Sequence, residues 1–456
     1  MRALAGRLFS FINNYSDLFK VLRHDVSAQA NCYIAGLMMK ASRKNMERMV
    51  EYVPESDYQS QQQFLSDSPW NHTRVLNRIA QDTNKILGGS DSVFIIDESC
   101  FEKKGVKSVG VDRQWNGRLG KVDNSQVGVY AGISDGKGCG LVNVRLFLPE
   151  SWTSDPSRCD EAKIPQDKRQ AHTKIDLAQQ MIEDALEQKL DFGWVALDAL
   201  YGSSPQLLRY IDEHAKKFVA DVRSNQHIYA TMPKPYLPRR SKNKGRKYTQ
   251  RQVREKSLEI SDFFDSVEPK QWKTVKVREG VKGTIIVSAV RKRVWLWDGK
   301  QKQPRCWWAV CYIDADKGEP KYFLSNASER TSLALLVRKH ATRYWIERAF
   351  QDAKTSTGMA DYQARGWVAW HHHMTMVILA QLFMLQERRL NFKEIKLLSC
   401  QDIVELLNFY LPRADNTEEQ ILKNLRRRHQ QRQEDIDRAR KKVIKPPKPP
   451  IPKPTK

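Results

Sequence analysis

The chain has 456 residues and a formal net charge of +24, with 77 Lys and Arg against 53 Asp and Glu. That length holds two or three domains and a sizeable core. A charge of that size implies attraction to a polyanion, with nucleic acid the first candidate and the ribosome or an anionic membrane surface the bland alternatives. The seven cysteines are scattered singly, at 32, 100, 139, 159, 306, 311 and 400, with no Cys-x-x-Cys and no His–Cys spacing suited to zinc. Such a set fits a reducing cytoplasm. No run of about 18 apolar residues is present, so no membrane span is read. Asn13 and Asn14 break the N-terminal apolar stretch too early for a secretory signal.

Residues 1–90 read as helical. Ile34, Leu37, Met38, Met46, Met49 and Val50 recur at three- and four-residue spacing, and Ser68-Pro69-Trp70 predicts a helix start leading into Val75, Leu76, Ile79 and Ala80. A plain helical bundle and a DNA-binding helical domain both fit, since no recognition-helix code separates them. The pattern changes at 91. Ser92–Asp97 reads as a buried strand, Gln126–Ile133 and Gly140–Leu148 as strands joined at Asp135–Gly138, His172–Gln188 as an amphipathic helix, Phe192–Asp198 as a strand, Pro205–Ala215 as a helix and Phe218–Val222 as a strand. This order predicts an α/β fold with a mixed sheet over 91–222. Residues 223–330 break the alternation. Pro233–Lys256 is rich in Pro, Lys and Arg and reads as an exposed, mobile loop. Thr284–Val290, Val294–Trp297, Trp307–Ile313 and Tyr322–Leu324 read as short strands, giving a β-rich lobe inserted into the sheet domain and separate from it. Helices return at Ser332–Thr355 and His371–Leu390 within a last helical segment, 331–390. Residues 391–456 end in a basic, Gln-rich helix from Leu425 and Lys-Pro repeats from Lys445 of polyproline type.

Three acidic residues stand out. Asp97 closes Val-Phe-Ile-Ile-Asp, Asp198 closes Gly-Trp-Val-Ala-Leu-Asp, and Glu347 lies in the helical Arg-Tyr-Trp-Ile-Glu-Arg-Ala-Phe. A buried strand ending in aspartate carries a charge to the rim of a sheet, which costs several kcal/mol unless the charge pairs or binds metal. Two such ends and a helical glutamate suit two divalent cations and in-line phosphoryl transfer. Glu98 follows Asp97 directly and points to the other side of an extended strand, so the metal is assigned to Asp97. His340, Arg343, Glu347 and Lys354 lie at offsets of three, four and seven, which places them on one face of a single helix. A solvated salt-bridge face is the bland reading of the same spacing.

His340-x2-Arg343-x3-Glu347-x6-Lys354 resembles the Tyr-Arg-Glu-Lys signature of the DDE transposases of bacterial insertion sequences, with His340 in place of the tyrosine. Asp97-Glu98-Ser99-Cys100-Phe101-Glu102-Lys103-Lys104-Gly105, Ser108–Val111, Arg113-Gln114-Trp115, Gly120-Lys121 and Asn124-Ser125-Gln126 resemble the first-Asp block of the IS seven-oh-one-like subgroup of the IS four superfamily. Trp345-Ile346-Glu347, Ala353-Lys354, Gly358, Tyr362, Arg365-Gly366-Trp367 and Trp370-His371 resemble its Glu block. The likeness covers about residues 60–385. It implies an RNase H-like catalytic domain with a β insertion, and Asp97, Asp198 and Glu347 binding two Mg²⁺, with Mn²⁺ as the substitute. It further implies cleavage at terminal inverted repeats and strand transfer into double-stranded target DNA, by a homodimer bridging two ends, on the bacterial nucleoid and away from any membrane. Arg343 and Lys354 would hold phosphates, and His340 would contribute a hydrogen bond. Lys103, Lys104 and Arg113, just past Asp97, would line the DNA groove. A catalytically inert DNA-binding descendant and another RNase H-like nuclease are the competing readings. The intact acidic triad argues against the first, and the insertion and the Arg-Glu-Lys pattern argue against the second.

Three further features invite a role. Trp295, Trp297, Trp307 and Trp308 read either as core or as a platform for an unstacked base. His371-His372-His373 cannot converge on one ion, because consecutive helical residues point about 100° apart, and read as a helix-start cluster packing near the site or touching DNA. Arg426–His429 and the Lys-Pro tail read as non-specific DNA contacts or a solvated end.

Overall fold

The computed structural model describes residues 3–441 apart from 42, 55, 239–247, 281–282, 301, 315–317 and 415–416. Its centre is built by apolar runs. Val93, Phe94, Ile95 and Ile96 are all buried, as are Trp194, Val195, Ala196 and Leu197. Successive strand residues face opposite sides, so four buried residues in a row require cover on both faces of the sheet. Ten strands form this sheet. They are β1 (Gly89–Glu102), β2 (Asp112–Asn116), β3 (Lys121–Ser134), β4 (Cys139–Leu146), β5 (Phe192–Leu197), β6 (Lys217–Val222), β7 (Lys273–Gly280), β8 (Gly283–Leu296), β9 (Arg305–Asp314) and β10 (Pro320–Ser325). The order is β7-β8-β9-β10-β6-β5-β1-β3-β2, with β4 pairing the far half of β3. β1, β5 and β6 are parallel, β3 pairs antiparallel with β1, and β4 pairs antiparallel with β3. A mixed sheet of this order, flanked by helices, is the RNase H-like arrangement expected.

The stretch 223–330 corrects one expectation. Its strands do not form a separate lobe. β10 pairs antiparallel with β6 through Tyr322↔Val222, Phe323↔Asp221 and Leu324↔Ala220, so the β7–β10 meander extends the central sheet. The physical reason lies in β6. It would otherwise be an edge strand presenting unpaired backbone groups beside buried Phe218, Val219 and Ala220, and the insertion covers it. Within Pro233–Lys256, residues 239–247 lie outside the described residues, and Tyr236 and Gln252 bridge the flanks. The Lys-Pro repeats from Lys445 also lie outside them.

The N-terminal helices share the catalytic core, and no seam falls at residue 90. Arg7 forms a two-pronged pair with Glu387, both contacts at 2.7 Å, Phe11 packs on Phe383, and the Tyr33 hydroxyl meets His373 Nδ1 at 2.7 Å. All three partners lie on helix Trp367–Leu390, of which 94% of the most apolar window is buried. This helix is long and apolar enough to cross a membrane, but here it is the core helix between the N-terminal helices and the sheet. The helix expected from Ser68-Pro69-Trp70 starts later, at His72. Asn71 provides its cap, accepting from the Thr73 and Arg74 amides at 2.9 and 3.2 Å.

Candidate active site

The strand register creates the site. Ile96 of β1 is level with Leu197 of β5, and Leu197 is level with Ala220 of β6. The next residue on each is an aspartate, so Asp97, Asp198 and Asp221 form a row across three neighbouring strands. β5 stops at Leu197, and Asp198 caps the following turn, with Oδ1 accepting from the Leu200 and Tyr201 amides at 2.9 and 3.2 Å. Gly202 lets that turn lie on β6, because a Cβ there would fall 2.0 Å from the Asp221 carbonyl oxygen. Asp97, by contrast, does not end its strand. β1 runs on to Glu102 because β3 continues to pair with it as far as Glu102↔Ser125. Glu98 points away from Asp97, as alternation requires, and pairs with Lys174 at 2.8 Å.

The helical side of the site differs from the single helix expected. Helix Leu333–Ala341 ends, Thr342 and Arg343 form a joint, and helix Tyr344–Ser356 begins. The Thr342 and Arg343 amides donate to Lys339 and His340 carbonyls at three-residue spacing, which tightens the chain there, and the Thr342 hydroxyl donates to the Arg338 carbonyl at 3.0 Å. His340 therefore lies on the helix before the joint, while Arg343 heads the helix that carries Glu347 and Lys354 and meets Glu347 one turn on. Arg343 turns into the carboxylate row. Its Nη1 lies 3.0 Å from Asp97 Oδ2 and 3.0 Å from Glu347 Oε1, and its Nε 3.5 Å from Asp221 Oδ2.

The charges in this cluster are strongly coupled. Burial pushes Asp97 up to about 7, against the pull of Arg343 and with help from Asp198 and Glu347. Burial also raises Asp198, opposed by the Tyr201 amide and Arg343. Burial would raise Asp221 too, but His340 and Arg343 outweigh it and hold that carboxyl below its ordinary value. Arg343 is held more firmly protonated, its carboxylate neighbours outweighing its own burial.

Asp97, Asp198 and Glu347 supply only oxygen donors, the kind that hard divalent cations take, and two of them are carboxylates whose ionised form burial penalises. On donor chemistry the set fits such a cation. The expectation that all three carboxyls meet at one point is not met in this arrangement. Among the described residues, no three His, Cys, Asp or Glu side chains close around a common centre. Asp97 and Glu347 meet on the Arg343 guanidinium, and Asp198 is engaged as a helix cap. Like charges at this spacing repel, and a guanidinium between two of them relieves the repulsion.

The remaining expected residues divide. Lys104 and Arg113 are exposed just past the site. Lys103 is half-buried, its ammonium 3.6 Å from the centre of the Tyr362 ring, and burial lowers it to about 8. Lys354 is half-buried near Phe101, and burial lowers it. His340 is buried, not surface-facing. It stacks on Phe323 at 4.4 Å and 10°, and its Nε2 meets Asp221. His371, His372 and His373 are also buried, His371 at the wall of a cleft it shares with His72 and Arg145. His372 stacks on Trp70 at 3.7 Å and donates from Nε2 to its backbone carbonyl at 3.0 Å. Trp307 packs edge-on against Phe218, and Trp308 lies between Arg291 and Arg293, while Trp297 lines a cleft with Arg209, Asp298 and Arg305. Asp221 went unnoticed in the sequence. Its signal was there, an aspartate within the apolar Phe-Val-Ala-Asp-Val, the same pattern that marks Asp97 and Asp198.

Two comparisons bear on this site. A relative described as "Probable transposase for insertion sequence element IS701", from Microchaete diplosiphon, is 29% identical over 240 residues, which is 51% of this chain and 59% of the relative. The chain thus spans less than two thirds of that relative's length. The family described as DDE superfamily endonuclease matches residues 17–284, a span that takes in Asp97, Asp198 and Asp221 and stops before Glu347. DDE endonucleases generally use divalent metal ions and act on DNA, which agrees with an all-oxygen acidic site in a basic chain. With more than half of its length matched, the chain belongs to the DDE superfamily of endonucleases.

Proposed function

We propose that the protein is a DNA transposase that cleaves the ends of an insertion sequence and joins them to target DNA by metal-dependent phosphoryl transfer. The observation that carries this reading is the register. Ile96↔Leu197 pairing sets Asp97 beside Asp198 at the level where β5 ends, and Arg343 ties Glu347 to Asp97 from the helical side. Two Mg²⁺ held by Asp97, Asp198 and Glu347 would supply Lewis acidity at the scissile phosphate. Asp198 keeps one oxygen on its helix cap and offers the other. Arg343, only partly covered, is the cation placed to meet a phosphate between these carboxylates, and its planar fork suits two phosphate oxygens. Lys104 and Arg113 extend positive charge along the approach, and Lys354 and Lys103 provide partly desolvated ammonium groups near it. The attacking group is water or a 3′-hydroxyl, so nicking and joining are one displacement with two nucleophiles. A homodimer bridging two ends, acting on the bacterial nucleoid, completes the reading. The test is cleavage of a duplex carrying the element's terminal inverted repeat, with Mg²⁺. Wild type should nick it and Asp97→Asn should bind it without nicking. Binding without cleavage by wild type would favour an inert DNA-binding descendant, and cleavage of RNA–DNA hybrid alone would favour another RNase H-like nuclease.

A further inference from the structure

Asp221 and His340 meet Arg343 through its Nε, whereas Asp97 and Glu347 meet it through Nη1. Asp221 sits on β6, next in the aspartate row, and its carboxylate takes His340 Nε2 on one oxygen and faces Arg343 Nε at 3.5 Å with the other. His340 is fixed in turn by stacking on Phe323, whose backbone is the β10 partner of Asp221, and by Tyr312 at 5.2 Å. Phe323 and Tyr312 both belong to the strands that extend the sheet. The insertion thereby builds one wall of the active site.

This arrangement has a chemical consequence. Arg343 engages Asp97 and Glu347 through Nη1 and Asp221 through Nε. If Asp97 and Glu347 turn to a divalent cation, Nη1 must let them go, since a cation and a guanidinium compete for the same oxygens. Asp221 can keep its hold meanwhile, because it uses a different nitrogen. We propose that Asp221 and His340 are positioning residues: they anchor Arg343 by Nε, so that its Nη groups can leave Asp97 and Glu347 and swing to a DNA phosphate without the side chain leaving the site. This inference rests on the phosphoryl-transfer reading above. It adds a fourth carboxylate whose partner is the arginine and not a metal ion, and it gives His340 a role that requires no contact with DNA.

The experiment uses full-length Asp221→Asn, Asp221→Glu and His340→Gln proteins. Mn²⁺ binding is followed by calorimetry without DNA, and steady-state cleavage of end DNA is measured separately. Asp221→Asn is isosteric and should stay folded. It should weaken Mn²⁺ binding roughly tenfold or more, as loss of a supporting contact does. It should lower kcat strongly with KM for DNA changed less than about twofold, because positioning is lost and phosphate binding elsewhere is not. His340→Gln should move both readouts in the same direction, and Asp221→Glu should restore part of kcat. Should Asp221→Asn unfold, His340→Gln and Asp221→Glu decide the matter by the same readouts. Wild-type Mn²⁺ affinity and kcat in folded Asp221→Asn would overturn the inference and leave the transposase reading standing. Loss in Asp221→Asn with none in His340→Gln would also overturn it, by making Asp221 a direct ligand. A wild-type protein that neither binds Mn²⁺ nor cleaves would remove both.

Discussion

Replacing Asp97 by asparagine should stabilise the protein while abolishing its chemistry, and the pH dependence of the gain is the test. The Asp97 carboxyl is raised from 3.8 to about 7, chiefly by burial, with the attraction of Arg343 already opposing that rise. A shift of that size means the ionised carboxylate costs the folded state about 4 kcal/mol relative to the unfolded chain. The folded pKa lies above the unfolded one, so the folded state holds the proton more tightly. The group's contribution is therefore fully favourable below about pH 4 and is lost as pH rises through about 7. Asparagine keeps the shape and never ionises. The stability difference between Asp97→Asn and wild type should be near zero at about pH 4, climb through the intervening range and level off at roughly 4 kcal/mol above about pH 7. Urea denaturation with a chelator present, at a series of pH values, reads this directly. Added Mg²⁺ should then raise the Tm of wild type and leave that of the variant nearly unchanged, since a ligand stabilises only the state that binds it. A variant less stable than wild type at pH 8, or a gain that does not vary with pH, would refute the account of Asp97 as a buried carboxylate short of countercharge.

Arg343→Gln should do the opposite. It leaves Asp97, Asp221 and Glu347 without their shared cation, so chelator-treated protein should lose roughly 3 kcal/mol, with Mg²⁺ restoring much of it in a thermal-shift titration. Gly202→Ala should cost about 1–3 kcal/mol by denaturation and lower cleavage more than DNA affinity, because its Cβ would push the Asp198 turn off the Asp221 strand. The protein should be acid-labile. Burial depresses His372 to about 4 and His373 to about 3, so their contribution is present above about pH 6.5 and falls as pH drops toward those values, by about 2 kcal/mol each at pH 5. His372→Phe, which keeps a ring on Trp70, should flatten the slope of stability between about pH 6.5 and 5 in the same denaturation assay.

The sequence carried the fold where one pattern answered to one cause. Continuous apolar runs at Val93–Ile96 and Trp194–Leu197 read as strands covered on both faces, and they are. Thr173 and Asp176 form a capping box at the start of the helix expected over 172–188, which runs Lys174–Glu187. Reading failed where a long-range contact overrode local pattern. Helical spacing from His340 to Lys354 says nothing of the joint at Thr342 and Arg343, which turns the arginine toward carboxylates on other elements. Short strands in 223–330 look like a module of their own, because no local signal tells that β10 will pair with β6. His340 read as a phosphate contact because its partner, Asp221, is 119 residues away in sequence.

Those failures share one root, which is also the site's design principle. Three aspartates on neighbouring strands put like charges side by side in a partly dry place, an arrangement that repels itself. Each is handled by a different device. Asp198 is held by backbone amides, Asp221 by His340 and Arg343, and Asp97 by Arg343 and the Glu98 amide. The least compensated of the three is the one whose carboxyl burial raises most plainly. That makes Asp97 the carboxylate with most to gain from a divalent cation, and Arg343 the group that must give way to it. Strand register fixes the carboxylates, but the joint between the two helices fixes the arginine. A substitution that loosens that joint should therefore damage catalysis while leaving every acidic residue in place. Thr342→Val, which keeps the branched shape and deletes the hydroxyl bond to the Arg338 carbonyl, is such a substitution. It should lower kcat several-fold, with Mn²⁺ binding by calorimetry shifted less than the Asp221→Asn effect. Unchanged kcat would mean that the joint is held by its backbone bonds and that Thr342 contributes nothing to the placing of Arg343.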